Sequence, residues 1–310
     1  MYIRLLGTAA GGGFPQWNCN CQQCLGIRQG KLRAQARTQS SVTVSADGQR
    51  WFLLNASPDV RQQIDAFPPL APPMAPPPGK VRASSIAGIF LTDADLDHTL
   101  GLLILREGLQ QIIYATEPVR QALTRGLMLL PALQHYCDCE WREPSSVLAP
   151  LFYSDGQFSG LNYTACFVKG HAPRYMGDQV AAQHGDRVGY YFVDVSTGGR
   201  FFYLPGLAAL ETSVWSLLKD CDLLLLDGTF WSETEMQETA TGSKSASAMG
   251  HLPVGGPYGS LLRIATLPIK HKVYVHINNT NPMLIEDSHQ ATAVREAGIE
   301  IGRDGMEFVL

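Results

Sequence analysis

Short apolar runs recur along the chain, and several of them stop at ionisable side chains. Tyr2 to Leu6 reads as a first strand. Ser40 to Ser45 and Trp51 to Leu54 read as a hairpin closed by the turn Ala46-Asp47-Gly48-Gln49, and Ile86 to Leu91 as a buried strand. Further strands are predicted at Gln111 to Ala115, Val147 to Phe152, Tyr163 to Val168, Gly189 to Val195, Arg200 to Leu204, Asp222 to Leu226 and Lys272 to His276, with Gly198-Gly199 turning one into the next. Helical patterns fall between them. One starts at Ser57-Pro58-Asp59, with serine as cap and proline in the first turn, and ends by Phe67; others cover Thr99 to Arg106, Glu117 to Leu130 and Leu207 to Lys219. The alternation predicts an α/β protein. Pro68 to Pro78 cannot be regular structure and reads as an extended surface loop of about residues 67–80, a lid, a partner contact or a tether. Gly177 to Gly185 reads as a second mobile segment.

The strand ends carry the chemistry. The stretch Thr92-Asp93-Ala94-Asp95-Leu96-Asp97-His98 follows a buried strand, where open α/β folds place ligands. Carboxylates crowded there repel one another, and a bound cation removes the conflict, since carboxylate and neutral imidazole are both metal ligands. The competing reading is an acidic loop with an aspartate capping the next helix. Asp227 closes another strand, His276 a further one, and His251 lies in the loop Met249-Gly250-His251-Leu252-Pro253. The shared setting points to one metal site. His171 also follows a strand, but beside Lys169 and the mobile segment it reads as a solvated histidine. Gly7 to Gly13 opens no helix and so does not fit a dinucleotide loop; it reads as backbone passing close to something. Cys19, Cys21 and Cys24 place three thiols within six residues, the makings of a structural Zn(II) site that pins a loop of about residues 14–36. A redox role for Cys21 and Cys24 fits less well, because no helix N-terminus after a strand is expected there. Cys137 and Cys139 read as ordinary thiols on a surface loop.

Charge and length narrow the classes. Net charge is -4 over 310 residues and no basic block occurs, which argues against nucleic acid and anionic membranes as partners. No run approaches the roughly 20 apolar residues of a membrane span. The apolar start from Met1 to Ala10 is too short for a signal sequence and carries Arg4. The expected location is cytoplasmic, where seven cysteines, an odd number, suit thiols or metal ligands rather than disulfides.

The order strand, acidic-histidine turn, helix, with later histidines after other strands, resembles the metallo-β-lactamase superfamily. The resemblance implies a single αββα sandwich over residues 1–310 whose loops converge on one or two metals. The superfamily's motif is His-x-His-x-Asp-His, and this chain has Asp93-x-Asp95-x-Asp97-His98. The superfamily's bridging aspartate follows a strand like Phe201 to Leu204, where Pro205-Gly206 stands here. Both departures favour one metal over two.

A closer resemblance, over nearly the whole chain, is to the branch of the superfamily that serves pyrroloquinoline quinone biosynthesis. It is carried by Ala10-Gly-Gly-Gly-Phe-Pro-Gln-Trp-Asn-Cys-Asn-Cys21, Arg37-Thr-Gln-Ser-Ser41, Asn55-Ala-Ser-Pro-Asp59, Asp97-His98, Leu226-Asp-Gly-Thr229, Met249-Gly-His251 and His276-Ile-Asn-Asn-Thr-Asn-Pro282. It implies an iron-dependent hydroxylase that uses dioxygen on the tyrosine ring of a cross-linked glutamate–tyrosine diamino acid cut from a precursor peptide. Asp97, His98 and His276 would hold Fe(II), a ligand set suited to non-haem oxygen chemistry. His251 would be a further ligand or the acid/base group near the phenol. Asp93 and Asp227 would orient histidines or bind substrate amino groups, and Asp95 would face solvent. Relatives with three-cysteine zinc loops take the fourth ligand from just after the last active-site histidine, which falls here on Asn279. Asparagine is a poor zinc ligand, so either His276 turns toward the cysteines, with His251 becoming the iron ligand, or another residue closes the zinc site. Other enzymes of the quinone pathway are expected partners, and a homodimer stays open. Two other classes compete: a metal-dependent hydrolase needing zinc and no oxygen, and a non-catalytic carrier or transport protein for the quinone. The acidic cluster would repel an anionic quinone unless a metal intervened.

Overall fold

The computed structural model describes residues 1–73, 81–107, 109–177 and 180–310. The proline-rich loop and the segment after Gly177 therefore lie partly outside the described residues. Two seven-stranded sheets face each other. The first comprises β1 (Tyr2–Gly7), β2 (Ser41–Ser45), β3 (Trp51–Leu54), β4 (Ile86–Phe90), β5 (Gln111–Tyr114) and β6 (Cys139–Arg142). The second comprises β7 (Ala149–Phe152), β8 (Phe158–Val168), β9 (Arg187–Asp194), β10 (Arg200–Leu204), β11 (Leu223–Asp227), β12 (His271–Val275) and β13 (Glu300–Ile301). The last strand, β14 (Glu307–Val309), returns to the first sheet and pairs antiparallel with β1. The sheet orders are β14-β1-β2-β3-β4-β5-β6 and β13-β12-β11-β10-β9-β8-β7.

Alternation along the strands sends one set of side chains into the seam and the other under the helices. The seam is aromatic: Phe90 stacks on Tyr114 at 4.2 Å and meets Tyr190 edge-on at 5.0 Å, joining the sheets. The outer face of the first sheet packs through Leu53, Ile89 and Ile113 against Val60, Leu102 and Leu123. That of the second packs through Leu224, Leu226 and Tyr274 against Val214, Leu261 and Val294. The result is the expected αββα sandwich, and the strands β3, β4 and β5, like β10, β11 and β12, run parallel. Their carboxyl ends collect at one edge of the seam. No described helix is long and apolar enough to cross a membrane.

Strands were easier to foresee than helices. The helix expected from Ser57 starts at Val60, because Ser57 bonds Gln63 Oε1 at 3.1 Å and the Asp59 carboxylate is engaged by the Gln39 amide. The pattern at residues 99–106 yields two single turns, Leu96–Thr99 and Gly101–Ile104. Gly101 lies against the 56–57 backbone, where a Cβ would come within 2.4 Å of the Ser57 carbonyl oxygen. The long helix expected at residues 117–130 breaks at Met128, which takes φ of 56°, and resumes as Leu129–Leu133. Residues 207–211 stay out of the helix Thr212–Leu218, since Leu207 N–H donates to Asp227 and its carbonyl accepts from Leu252. The proline-rich stretch does contain one short turn of helix, Pro68–Leu70. Cys137 is buried and Cys139 begins β6, so neither belongs to a surface loop. The cysteine-rich loop contains a helix, Gln22–Arg28, that starts just after Cys21, where none was expected.

Candidate metal centre

Four loops supply the site. Residues 92–98 follow β4, residues 227–229 end β11, His251 stands on the loop after Met249, and His276 follows β12. The first loop is held by Asn55 at the end of β3, whose Oδ1 accepts from Thr92 N–H at 2.9 Å and whose Nδ2 donates to Thr92 Oγ1 at 2.9 Å. Asn55 takes φ of 62°, a left-handed conformation that asparagine tolerates better than most residues. Val188 N–H donates to Thr92 O, stitching the two sheets together at the site. The glycine-rich turn passes over Asp97, with the Gly11 Cβ position 3.4 Å from that carboxylate. This is the close approach its composition implied.

Asp97, His98 and His276 bring one ligand atom each within 4.8 Å of one another. His276 Nε2 lies 3.2 Å and His98 Nε2 3.9 Å from Asp97 Oδ2. Each imidazole is fixed through its other nitrogen. His98 Nδ1 meets Asp93 Oδ1 at 2.7 Å, His251 Nδ1 meets Asp227 Oδ2 at 2.7 Å, and His276 Nδ1 meets Thr229 Oγ1 at 2.8 Å. Thr229 in turn donates to Asp227 Oδ1 at 2.6 Å. A histidine tied through Nδ1 presents its Nε2 as a ligand. The Nε2 of His98 is buried with no hydrogen-bond partner, the orphan expected where a cation completes the group. His276 takes φ of 56°, costly for a residue with a Cβ, and such strain concentrates at ligand positions.

The electrostatics agree. Burial raises the carboxyls of Asp93 and Asp97, but His98, joined by Arg187 at Asp93 and by the hydrogen bond from His276 at Asp97, outweighs it and holds both below the ordinary range. Burial opposes charging of His98, yet Asp93, Asp97 and Asp95 lift its pKa to about 9. The pocket therefore draws in a proton where a metal ion could sit instead. Burial keeps His251 below its usual value in spite of Asp227, leaving a neutral imidazole. A cavity of about 760 Å³ opens over these residues, lined also by His171, Arg174, Tyr175, Arg187 and Lys244.

His171 is exposed, as expected of a solvated histidine, and stands at the cavity, its ring 2.6 Å from the Cβ position of Gly250. Two expectations change here. Asp95 does not simply face solvent: its Oδ2 lies 3.3 Å from Arg187 Nη2. His276 does not turn toward the cysteines. Asn279 does, its side-chain amide nitrogen lying 3.3, 3.7 and 3.4 Å from the sulfurs of Cys19, Cys21 and Cys24. Arg187 and Thr229 had no assigned role in the sequence. Thr229 follows Asp227 within Asp-Gly-Thr, a signal that could have been used; Arg187 opens an apolar strand and gives none.

Residues 50–277 match the β-lactamase superfamily domain, and the paired sheets with helices outside are that superfamily's fold. The chain is 44% identical to the coenzyme PQQ synthesis protein B of Methylobacillus flagellatus and to that of Methylococcus capsulatus, each over the full length of both chains. The crystal structure of Zn(2+)-bound PqqB from Methylobacterium extorquens superposes over all of both chains with a TM-score of 0.89 at 35% identity. The chain belongs to the coenzyme PQQ synthesis protein B family.

Proposed function

We propose that this protein serves pyrroloquinoline quinone biosynthesis as an iron-dependent oxygenase that hydroxylates the tyrosine ring of a cross-linked glutamate–tyrosine diamino acid. One observation carries the reading: one carboxylate and two imidazoles, those of Asp97, His98 and His276, converge, each imidazole tied through Nδ1 with its Nε2 toward the Asp97 carboxylate. Fe(II) held there would supply the activation of dioxygen, which that ligand set suits. His251, neutral and oriented by Asp227, stands beside His276 with ring centroids 5.4 Å apart, as a further ligand or to take the phenolic proton. Asp93 and Asp227 orient the histidines. Arg174 and Lys244 at the cavity mouth suit the carboxylates of an amino-acid-derived substrate.

Zn(II) at Cys19, Cys21 and Cys24 would be structural, with Asn279 as the fourth ligand. A half-turn of its amide places Oδ1 where Nδ2 stands, about equidistant from the three sulfurs. A site closed on four sides, as this one would be, is typical of structural zinc.

The deciding experiment is oxygen uptake by anaerobically reconstituted Fe(II) protein with the diamino acid and ascorbate, followed by mass analysis. Uptake with oxygen gained on the ring, lost in Asp97→Ala and His98→Ala, is expected. Cleavage of a test ester by the zinc form without uptake would instead make the protein a hydrolase. Silence in both assays together with tight quinone binding would make it a carrier.

A further inference from the structure

Arg187, the first residue of β9, is only 5% exposed and lies against the loop of residues 93–98. Its Nη2 is 3.3 Å from Asp95 Oδ2, its Nε 3.9 Å from Asp93 Oδ2, and its Nη1 donates to the Gly250 carbonyl at 2.9 Å. The Nε finds no hydrogen-bond acceptor. A buried guanidinium is costly unless its charge is matched, and here two carboxylates match it.

The slot around it is made by glycine. A Cβ on Gly170 would stand 2.6 Å from the Arg187 Cβ, one on Gly206 2.9 Å from its Cδ, and one on Gly250 2.9 Å from Nη1. Gly206 belongs to the Pro205-Gly206 pair that replaces the superfamily's bridging aspartate. Asp93 and Asp95 occupy the motif positions held there by histidines. The three residues at which the chain departs from the motif of the superfamily it resembles, Asp93, Asp95 and Gly206, therefore meet at one side chain.

We propose that Arg187 is a resident cation that takes the place of a second metal ion and limits the centre to one divalent ion. The proposal rests on the reading that Asp97, His98 and His276 hold a metal. Charge supports it: one guanidinium and one divalent ion bring the carboxylates of Asp93, Asp95, Asp97 and Asp227 to within one charge of balance. A second divalent ion beside Arg187 would meet a like charge in a buried pocket.

The test is metal content after zinc loading and gel filtration, read for wild type, Arg187→Lys and Arg187→Met, with exchange coupling in the Mn(II) electron spin resonance spectrum as a second readout. Wild type and Arg187→Lys should hold about two equivalents, one at the cysteines and one at the centre, with no coupled signal. Arg187→Met should take up about one more and show a coupled pair, as two-metal sites do at roughly 3.5–4 Å. Three equivalents in wild type, or two in a folded Arg187→Met, would overturn the proposal. An Arg187→Met variant that stays unfolded in excess zinc would overturn it too, because an added ion should restore the lost charge. A single equivalent in wild type, unchanged by Asp97→Ala, would remove the underlying metal reading and the proposal with it.

Discussion

At Asp227 one carboxylate organises two imidazoles. Its Oδ2 accepts from His251 and from Leu207 N–H, while its Oδ1 accepts from the Thr229 hydroxyl that receives His276 Nδ1. Asparagine is isosteric but presents an NH2 to one of these donors, so Asp227→Asn should misalign at least one histidine. Metal affinity is expected to fall by roughly 10–100-fold, measured by competition with a chelating dye, with little change in fold by circular dichroism. The carboxyl of Glu235, unlike that of Asp227, titrates in the working range. Burial lifts Glu235 to about 7, against hydrogen bonds from Thr280 and Trp231. Its folded pKa exceeds its ordinary value of 4.5, so the stability it contributes is full below pH 4.5 and is lost as pH rises through 7. Relative to Glu235→Gln, the wild type should lose roughly 3 kcal/mol of unfolding free energy across that window in urea titrations. A flat difference with pH would refute it. These residues differ in how legible they were. Asp97 and His98 lie in the turn that follows one apolar run and His276 ends another, so their placement follows from local pattern. Arg187 and His171 depend on Gly170, Gly206 and Gly250, which lie apart in sequence and come together only in the packed fold.

Among elements, the loop after β12 does two jobs. It presents His276 to the metal centre and, three residues on, Asn279 to the cysteines. Backbone bonds tie it down between them: Asn278 N–H donates to Thr229 O at 3.0 Å, and Ile277 N–H to Thr8 O at 2.9 Å. Asn279→Ala should therefore act at a distance. Zinc retention should fall by about tenfold or more, and the affinity of the candidate centre for Fe(II) by several-fold, although the hydrogen bonds of the Asn279 side chain go to the three cysteine sulfurs. Both are read by metal analysis after dialysis; zinc loss with unchanged iron affinity would show the two sites to be independent. The strands of this region were legible because hydrophobic runs of strand length need no tertiary partner to be recognised. The helices were not, because their ends are set by contacts outside themselves. Leu207 is held by Asp227 and Leu252, and Gly101 by the 56–57 backbone, and both cut short patterns that would otherwise continue.

For the whole molecule, the candidate metal centre lies on the seam. The sheet that holds β4 supplies Asp93, Asp97 and His98, and the sheet that holds β11 and β12 supplies Asp227 and His276. An ion bound by residues from both sheets binds only when they are docked, so it stabilises the folded state by mass action, about 2.7 kcal/mol at a hundredfold excess over Kd. Phe90 tests the link. It is fully buried, bridges Tyr114 of one sheet to Tyr190 and Phe192 of the other, and ends the strand that leads into Asp93. Phe90→Ala should cost roughly 3–5 kcal/mol in urea unfolding, whereas Phe152→Ala on the half-exposed edge strand β7 should cost less than about 1 kcal/mol. Metal should return part of the loss at Phe90, so the gap in Tm between loaded and chelated protein should persist in the variant. An equal Tm for loaded and chelated protein, in wild type and variant alike, would show that no ion at the seam is linked to folding. The aromatic seam and the metal are, on this view, two ways of holding the same pair of sheets in register, one by contact area and one by charge.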